Sequence, residues 1–264
     1  QGLLWQSGSQ WSGIKGQSWV VSIDTPPSQR VATYWQSLLD DDLVAPLQAY
    51  SPAAWNAIQR DEILAIPHAS WFSEVLATNV AGQSGQWAVA PIPTWGGSDV
   101  TGDTGGSANI VSSSSDHPRE AAEFALWLNT HPDSLEILIN SSGVLPAATA
   151  GLDQAAVAPG VEYFGNKQVN RLFVDAASRL STRWSYGPGM AQSYAKFNDG
   201  LAEVVAGRQG LRQLMTEVQS ATVELLKARG LAVTVPGAGG PSAGGKPDGR
   251  REEAREGERE KSDG

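Results

Sequence analysis

Residues 86–146, QWAVAPIPTWGGSDVTGDTGGSANIVSSSSDHPREAAEFALWLNTHPDSLEILINSSGVLP, carry the pattern that decides the fold. The apolar run 86–90 stops at Pro91, and this pattern predicts a buried strand leaving a sheet. A long loop rich in Gly follows, and the run 108–111 predicts a second strand. A loop of this length, placed after a strand and carrying Trp95, is a candidate for ligand binding.

Two helices are predicted after this loop. The first begins near Asp116, with Pro118 in its first turn, where a missing N–H costs nothing. Four residues at helical spacing give it one apolar face, namely Ala121, Phe124, Ala125 and Leu128. The second helix ends near Gly143. The alternation of strands and helices predicts an α/β fold.

The rest of the chain repeats these patterns. Further strands are predicted at 3–5, 19–23, 63–66 and 231–235, and further helices at 28–39, 52–59, 71–79, 169–180, 190–206 and 211–229. From residue 236 the composition changes abruptly, and residues 246–264 contain 13 charged residues out of 19. Such a segment buries too little surface to offset its ordering entropy, so we expect 236–264 to be a disordered tail.

Composition excludes several classes of function. The chain has 264 residues, a net charge of −9 and a pI of about 4.8. An acidic protein is a poor match for nucleic acid or an anionic membrane surface, which attract Lys and Arg. The absence of Cys excludes thiol catalysis, disulfides and Cys-based zinc sites. No spacing of His, Asp and Glu suggests a metal, and no motif calls for a cofactor.

Tryptophan is the most unusual feature of the composition. Ten Trp stand against five Phe and five Tyr. The broad face and single N–H of Trp suit a sugar ring as well as a hydrophobic core. Sugar binding therefore becomes a hypothesis, with core packing as the alternative for each Trp.

Several short elements in a fixed order resemble a known family. These are W-x-V-A-P-x-P from Trp87, G-G-S-A from Gly105, H-P-x-x-A-A-x-F-x-x-W-L from His117, G-x-L-P-A from Gly143 and AGRQGLRQLMTEVQ from Ala206. The chain resembles the extracellular solute-binding proteins of ABC importers, in the sugar-binding group that includes the maltose-binding protein. The resemblance covers roughly residues 1–235 and implies the C-terminal lobe of a type II periplasmic-binding-protein fold.

The same resemblance implies how the chain is organised. Gln1 falls near the passage from the first lobe to the second, so we expect most of an N-terminal lobe upstream. A secretion signal and a lipidated Cys that anchors the protein at the membrane are expected there too. Residues 1–235 are then mostly the second lobe, followed by the tail at 236–264.

The resemblance also implies binding residues. Trp71 and Tyr194 match aromatic residues that stack on sugar, and Trp11 lies near a further one. Gly105, Gly106 and Ser107 match a loop that offers N–H groups and a hydroxyl to the ligand. Trp95 and Trp184 are added by their position in loops.

The implied function is capture of a mono- or oligosaccharide outside the cytoplasm by a monomer, with delivery to the membrane subunits of an ABC importer. No catalytic residue is expected. A peptide or polyamine remains an alternative ligand, because Asp99 and Asp103 share the loop with Trp95.

Three segments bear on enzymatic alternatives, and two of them lie in the same loop. A glycosidase needs two held carboxylates, one with a raised pKa, and Asp99 with Asp103 is the candidate pair. The segment 102–107, GDTGGS, is similar to a serine-protease motif, but Thr104 stands at the position of the nucleophile. The segment 240–246 approaches a phosphate-binding loop, but Pro247 replaces the hydroxyl residue that should reach Mg²⁺.

Overall fold

The computed structural model describes residues 1–96, 99–142, 144–158, 161–165 and 167–236. Its helices are α1 (Gly2–Gln6), α2 (Pro26–Asp40), α3 (Pro52–Gln59), α4 (Phe72–Asn79), α5 (Pro118–Thr130), α6 (Pro132–Ser142), α7 (Thr149–Ala156), α8 (Val169–Ala177), α9 (Met190–Val205) and α10 (Leu211–Ala228). The strands are β1 (Ser12–Lys15), β2 (Ser18–Val21) and β3 (Val233–Thr234). The predicted mixed α/β class is confirmed, with helices predominating.

The sheet joins two distant parts of the chain. β1 and β2 form an antiparallel hairpin in which Ser12 lies opposite Val21. Gly16 turns the hairpin with a φ of 61°, in the left-handed region that favours glycine. β3 then pairs in parallel with β2, with Trp19 opposite Val233. The strand order is therefore β1-β2-β3.

A large core packs against this sheet. It is formed by α2, α9 and α10 together with the residues around β1 and β2. The inner face of α10 buries residues at helical spacing, namely Leu211, Leu214, Met215, Val218, Thr222 and Leu226. Gly200 on α9 lets the two helices approach closely, because a Cβ there would overlap Leu214 Cδ1. This core fixes the positions of the segments that carry most of the chain's tryptophans.

A second, smaller core lies around α3, α4 and the start of α8. Its buried side chains are Ile58, Phe72, Leu76, Val80, Tyr163, Phe164 and Val169. Ser51 begins α3 by accepting a hydrogen bond from the N–H of Ala54 at 3.2 Å. The Tyr163 hydroxyl donates to the Val80 carbonyl at 3.0 Å. Trp71 packs at the edge of this core, immediately before α4.

Most predicted helices are found within a few residues of their expected bounds, but several predicted strands are wrong. Residues 3–5 belong to the helix α1, in which the Trp5 N–H donates to the Gln1 carbonyl and the Ser7 N–H donates to the Leu3 carbonyl. The apolar runs at 63–66, 86–90 and 108–111 form no strand in the structure. A strand needs a neighbour for its N–H and C=O groups, and the described residues place none beside these runs. Ile110 is accordingly 89% exposed.

The helix α5 has the predicted position but an open apolar face. Ala121, Ala125 and Leu128 are only half-buried, and Phe124 is 61% exposed. No residue of α5 is buried. The adjoining helix α6 exposes Ile137 as well. We call the exposed apolar set Ile110, Phe124, Leu126, Trp127 and Ile137 the open face.

Three predictions lie wholly or partly outside the described residues. The end of the second predicted helix at Gly143 is one, although α6 is described as far as Ser142. The tail is another, since only its first residue, Pro236, is described. The segment 240–246 is the third. Over the described part of the chain, no helix has the length and apolar character needed to cross a bilayer.

Candidate ligand-binding site

Aromatic rings converge between the sheet and α9. Trp5 and Trp184 stack with ring centroids 5.4 Å apart and an interplanar angle of 17°. Trp11 lies 6.1 Å from Trp184 and 5.4 Å from Tyr194. Three residues predicted from the sequence, Trp11, Trp184 and Tyr194, are thus brought together. Trp5, which sequence reasoning did not select, completes the group.

Several polar groups of this aromatic cluster have no partner in the described residues. They are the ring N–H groups of Trp11 and Trp184 and the hydroxyl of Tyr194. Buried polar groups are normally hydrogen-bonded, and an unpaired one costs free energy. Burial raises the pKa of the Tyr194 hydroxyl, and the nearby Tyr186 raises it further. Tyr194 therefore stays protonated at neutral pH and can donate.

A cavity of about 670 Å³ opens beside this cluster. It lies between the end of α1 and the segment 178–184 that follows α8. Its walls are Trp5, Gln6, residues 7–10, Trp95, Asp99, Val100 and residues 178–184. A volume of this size suits a small ligand.

Gln6 is a buried polar residue in the wall of this cavity. It is only 3% exposed, and its Nε2 donates to the Pro93 carbonyl at 3.0 Å, while its Oε1 has no partner in the described residues. Trp5 is fixed by donation from its Nε1 to the Ser181 carbonyl at 2.7 Å. The cavity wall thus combines an aromatic ring that is held in place with a buried amide oxygen that has no partner in the described residues.

The loop after Trp95 is tied to the end of α8. The Thr101 N–H donates to the Arg179 carbonyl at 3.0 Å, and its hydroxyl donates to the Ala176 carbonyl at 2.7 Å. This anchoring places Asp99 in the cavity wall, together with Arg179 and Arg183. Sequence reasoning missed Gln6, Arg179 and Arg183, because nothing in their local pattern distinguishes them from ordinary polar residues.

Trp71 meets the predicted Gly-rich loop. Its Nε1 donates to the Thr104 carbonyl at 3.2 Å. Gly105 and Gly106 have φ angles of 94° and 121°, which explains why glycine occupies both positions. Ser107 is exposed. The structure therefore places Trp71 beside the Gly105–Ser107 loop.

The start of α1 links this loop to the cavity. A Cβ on Gly2 would lie 3.0 Å from the Asp103 carbonyl oxygen, so the loop packs directly on the helix that carries Trp5 and Gln6. Within the described residues, the N–H groups of Gly105, Gly106 and Ser107 donate no hydrogen bond to the protein. They remain available to a ligand.

The remaining predicted aromatics have different surroundings. Trp11 is 1% exposed, so its ring packs in the large core and offers no open face. Trp95 lies edge-on to Tyr34, with ring centroids 5.5 Å apart, and also borders the cavity. The eight predicted residues therefore form three groups: Trp11, Trp184 and Tyr194 at the aromatic cluster, Trp71 with the Gly105–Ser107 loop, and Trp95.

The carboxylates considered for catalysis occupy different places. Asp99 borders the cavity, whereas Asp103 belongs to the part of the loop that packs on Gly2. Burial raises the pKa of Asp103, and the Thr104 N–H, which donates to its carboxylate, opposes this rise. No group of three or more potential metal ligands occurs within the residues described.

Comparison with known proteins gives structural matches only. No family model matches the chain, and no curated protein matches it. The galacto-N-biose-/lacto-N-biose I-binding protein of an ABC transporter from Bifidobacterium longum, solved with lacto-N-biose, is 32% identical with a TM-score of 0.77. The match covers 88% of this chain and 57% of that protein.

More distant structures agree on the fold. The ABC transporter associated binding protein from B. animalis subsp. lactis Bl-04, solved with beta-1,6-galactobiose, is 21% identical with a TM-score of 0.79, and the match covers 88% of this chain and 60% of that one. A putative oligosaccharide periplasmic-binding protein from Synechococcus sp. MITs9220 is 16% identical with a TM-score of 0.64. The match covers 86% of this chain and 58% of that one. The resemblance inferred from the sequence is therefore confirmed: the chain has the α/β fold of the sugar-binding proteins of ABC transporters, and it spans about 57–60% of the length of its two Bifidobacterium relatives.

Proposed function

We propose that this chain binds a neutral mono- or oligosaccharide outside the cytoplasm, for delivery to the membrane subunits of an ABC importer. The observation that carries the proposal is the 32% identity to a lacto-N-biose-binding protein over 88% of the chain. The chain acts in this proposal as a monomer and performs no chemistry on the sugar.

The arrangement of the site supports a sugar as ligand. Sugar rings have apolar faces that stack on aromatic rings and hydroxyls that need hydrogen-bond partners. The aromatic cluster supplies rings, and the Gln6 Oε1 and Trp184 Nε1 groups have no protein partner in the described residues. Both atoms are buried, so they gain hydrogen bonds only if the side chains around them shift when a hydroxylated ligand enters.

Trp71 and the Gly105–Ser107 loop form the second part of the proposed site. The backbone N–H groups of this loop have no partner among the described residues, and they can donate to sugar hydroxyls or ring oxygens. Binding there also makes use of Trp71, which the loop holds in place. We assign stacking to Trp71 and hydrogen bonding to Tyr194 and to the loop.

Binding without catalysis fits the surroundings of the carboxylates better than hydrolysis does. A glycosidase holds an acid and a second carboxylate on either side of one bond. Only one of the two candidates, Asp99, borders the cavity. Burial raises the pKa of Asp103, but this residue lies in the part of the loop that packs on Gly2 and does not border the cavity.

Calorimetry tests the proposal with lacto-N-biose, beta-1,6-galactobiose and maltotetraose. Because the chain spans about 57–60% of the length of its two Bifidobacterium relatives, we count only the contacts made by this chain and expect dissociation constants of about 1 mM. Tyr194→Phe keeps the ring and removes the hydroxyl, and it should weaken binding about 3- to 10-fold through one lost hydrogen bond. Trp71→Ala should weaken binding by at least about tenfold.

Tyr163→Phe is the matched control, because it removes a tyrosine hydroxyl that bonds Val80 in the small core. It should leave sugar affinity unchanged. Absence of heat with all three sugars, or equal losses for Tyr194→Phe and Tyr163→Phe, would reject the proposed site. Release of monosaccharide during the titration would favour the glycosidase alternative instead.

A further inference from the structure

A second cavity lies on the other side of Trp95. Its volume is about 820 Å³, and it opens between α2, the beginning of α10 and the loop that carries Trp95. Its walls are Asp24, Thr25, Pro26, Gln29, Arg30, Thr33, Tyr34, Ser37, Trp95 and Arg212. The sugar site proposed above does not use Arg30 or Arg212.

Arg30 has no partner in the described part of the chain. No hydrogen bond or ion pair joins its guanidinium to a described residue. Its guanidinium lies near the backbone of the Trp95 loop, since a Cβ on Gly96 would be 3.7 Å from Arg30 Nη1. By contrast, Arg60, Arg119 and Arg208 each form an ion pair with a Glu. Arg30 is exposed to solvent at the edge of the cavity, so its guanidinium is accessible to a ligand.

Arg212 is positioned by neutral groups. Its Nε donates to Gln29 Oε1 at 2.9 Å, and Gln29 in turn donates to Asp24 Oδ1. The other carboxylate oxygen of Asp24 accepts a hydrogen bond from Thr216 at 2.7 Å. Asp24 therefore orients Gln29, and Gln29 orients Arg212, without an ion pair within 4.0 Å in the described residues. The terminal nitrogens of Arg212 stay available.

Helix stability does not account for the charge of Arg212. The residue lies in the first turn of α10, where the helix macrodipole disfavours a cation. Neither α10 nor α2 has an acidic residue in its first turn. Because the helix dipole disfavours this positive charge, we take the presence of Arg212 as support for an anionic ligand there.

Aromatic rings form the remaining wall. Tyr34 and Trp95 meet edge to face with centroids 5.5 Å apart and an interplanar angle of 88°. The Trp95 Nε1 has no partner in the residues described. Two guanidinium groups and two aromatic rings thus border the same cavity, together with Asp24, whose carboxylate oxygens accept hydrogen bonds from Gln29 and Thr216.

We propose that this cavity binds a sugar-sized molecule carrying an oxyanion, either a carboxylate or a phosphate. Guanidinium groups present N–H donors in a fixed fork that matches both anions. The ring of such a molecule packs on Tyr34 and Trp95, while Arg30 and Arg212 bind its charge. This site is separate from the cavity at Gln6 and does not depend on the neutral-sugar function.

Three probes of similar size separate the possible sources of the anion. D-glucuronate presents a carboxylate, D-glucose 6-phosphate a phosphate, and D-glucose neither. Titration followed by calorimetry or NMR should show binding of at least one anionic probe, at least about tenfold tighter than glucose. If the protein binds glucuronate more tightly, the anionic group of its ligand is a carboxylate. If it binds glucose 6-phosphate more tightly, that group is a phosphate.

The double variant Arg30→Gln/Arg212→Gln should lose at least about tenfold in affinity for the preferred anion. Both substitutions keep a good helix former on the exposed surface, so the fold should persist. Arg30→Lys keeps the charge but not the fork, and it should give an intermediate loss. Arg171→Gln, which removes the same charge from the exposed side of α8, should bind as the parent does.

Two results would overturn the proposal. One is failure of both anionic probes to bind at about 10 mM. The other is a loss with Arg171→Gln as large as that with the double variant, which would show a general charge effect. Unchanged thermal midpoints in all variants establish that any loss is local.

Discussion

The helices α10 and α5 have similar sequence patterns but opposite surroundings. Both carry apolar residues at helical spacing, and both form where the pattern predicts them. The apolar face of α10 packs on α2 and α9 and buries six residues. No residue of α5 is buried, and its Phe124, Leu126 and Trp127 belong to the open face.

This difference shows that the periodicity of a helix reports its capacity to pack, and not whether packing occurs. Apolar burial stabilises by about 25 cal/mol per Å² removed from water. The residues of α10 gain that stabilisation from neighbours far away in sequence, whereas those of the open face remain in water. The same reasoning applies to the runs 86–90 and 108–111, whose backbone groups find no strand to pair with in the structure.

The largest expected effect separates two leucines. Leu214 on α10 is 0% exposed, and Leu126 on α5 is 65% exposed. Leu214→Ala should lower the free energy of unfolding by about 2–5 kcal/mol, because it leaves a cavity in the large core. Leu126→Ala should change it by less than about 0.5 kcal/mol. Urea denaturation measures both, and similar losses would show that α5 is packed in solution.

A smaller effect compares two hydroxyls on α10. Thr222 donates to the Val218 carbonyl at 2.7 Å and also bonds Ser193 on α9 at 2.7 Å. Ser220 donates to the Thr216 carbonyl at 3.0 Å and lies on the surface. Thr222→Val should lower the free energy of unfolding by about 1 kcal/mol, because it removes the buried bond between the helices.

Ser220→Ala is the control for Thr222→Val, since it removes the same kind of bond within the helix but none between helices. Its expected effect is within about 0.5 kcal/mol of zero. An equal loss in both variants would mean that the hydrogen bond to Ser193 contributes nothing measurable. The comparison of the buried and exposed regions would then rest on apolar packing alone.

The smallest expected effect on stability concerns the open face itself. Phe124→Ser should change the free energy of unfolding by less than about 0.5 kcal/mol, because the ring is mostly in water. It should nevertheless lower the binding of an apolar dye such as ANS, which reports contiguous exposed apolar surface. Val205→Ser, at an exposed apolar residue of α9, serves as the control. Dye binding that falls equally in both variants would contradict the open face as the dye's site.

The sequence by itself determined the helices and the resemblance to the sugar-binding proteins of ABC transporters. A helical hydrogen bond joins residues four apart, so a short window contains the whole pattern together with its start and stop signals. Ser51 at the start of α3 and the spacing along α10 are examples. The tryptophans likewise suggested a binding surface, and the structure places Trp11 in the large core and Trp5, Trp95 and Trp184 at the wall of a cavity.

Only the tertiary structure decided which strands pair and which residues meet. β2 pairs with β3 across residues 19 and 233, and Thr101 pairs with the end of α8. Gln6 and Arg179 meet at one cavity, and Arg30 meets Arg212 at another. No local window contains these pairs, because strand pairing and cavities depend on residues that are distant in the chain. For that reason the runs 63–66, 86–90 and 108–111 were predicted as strands and formed none.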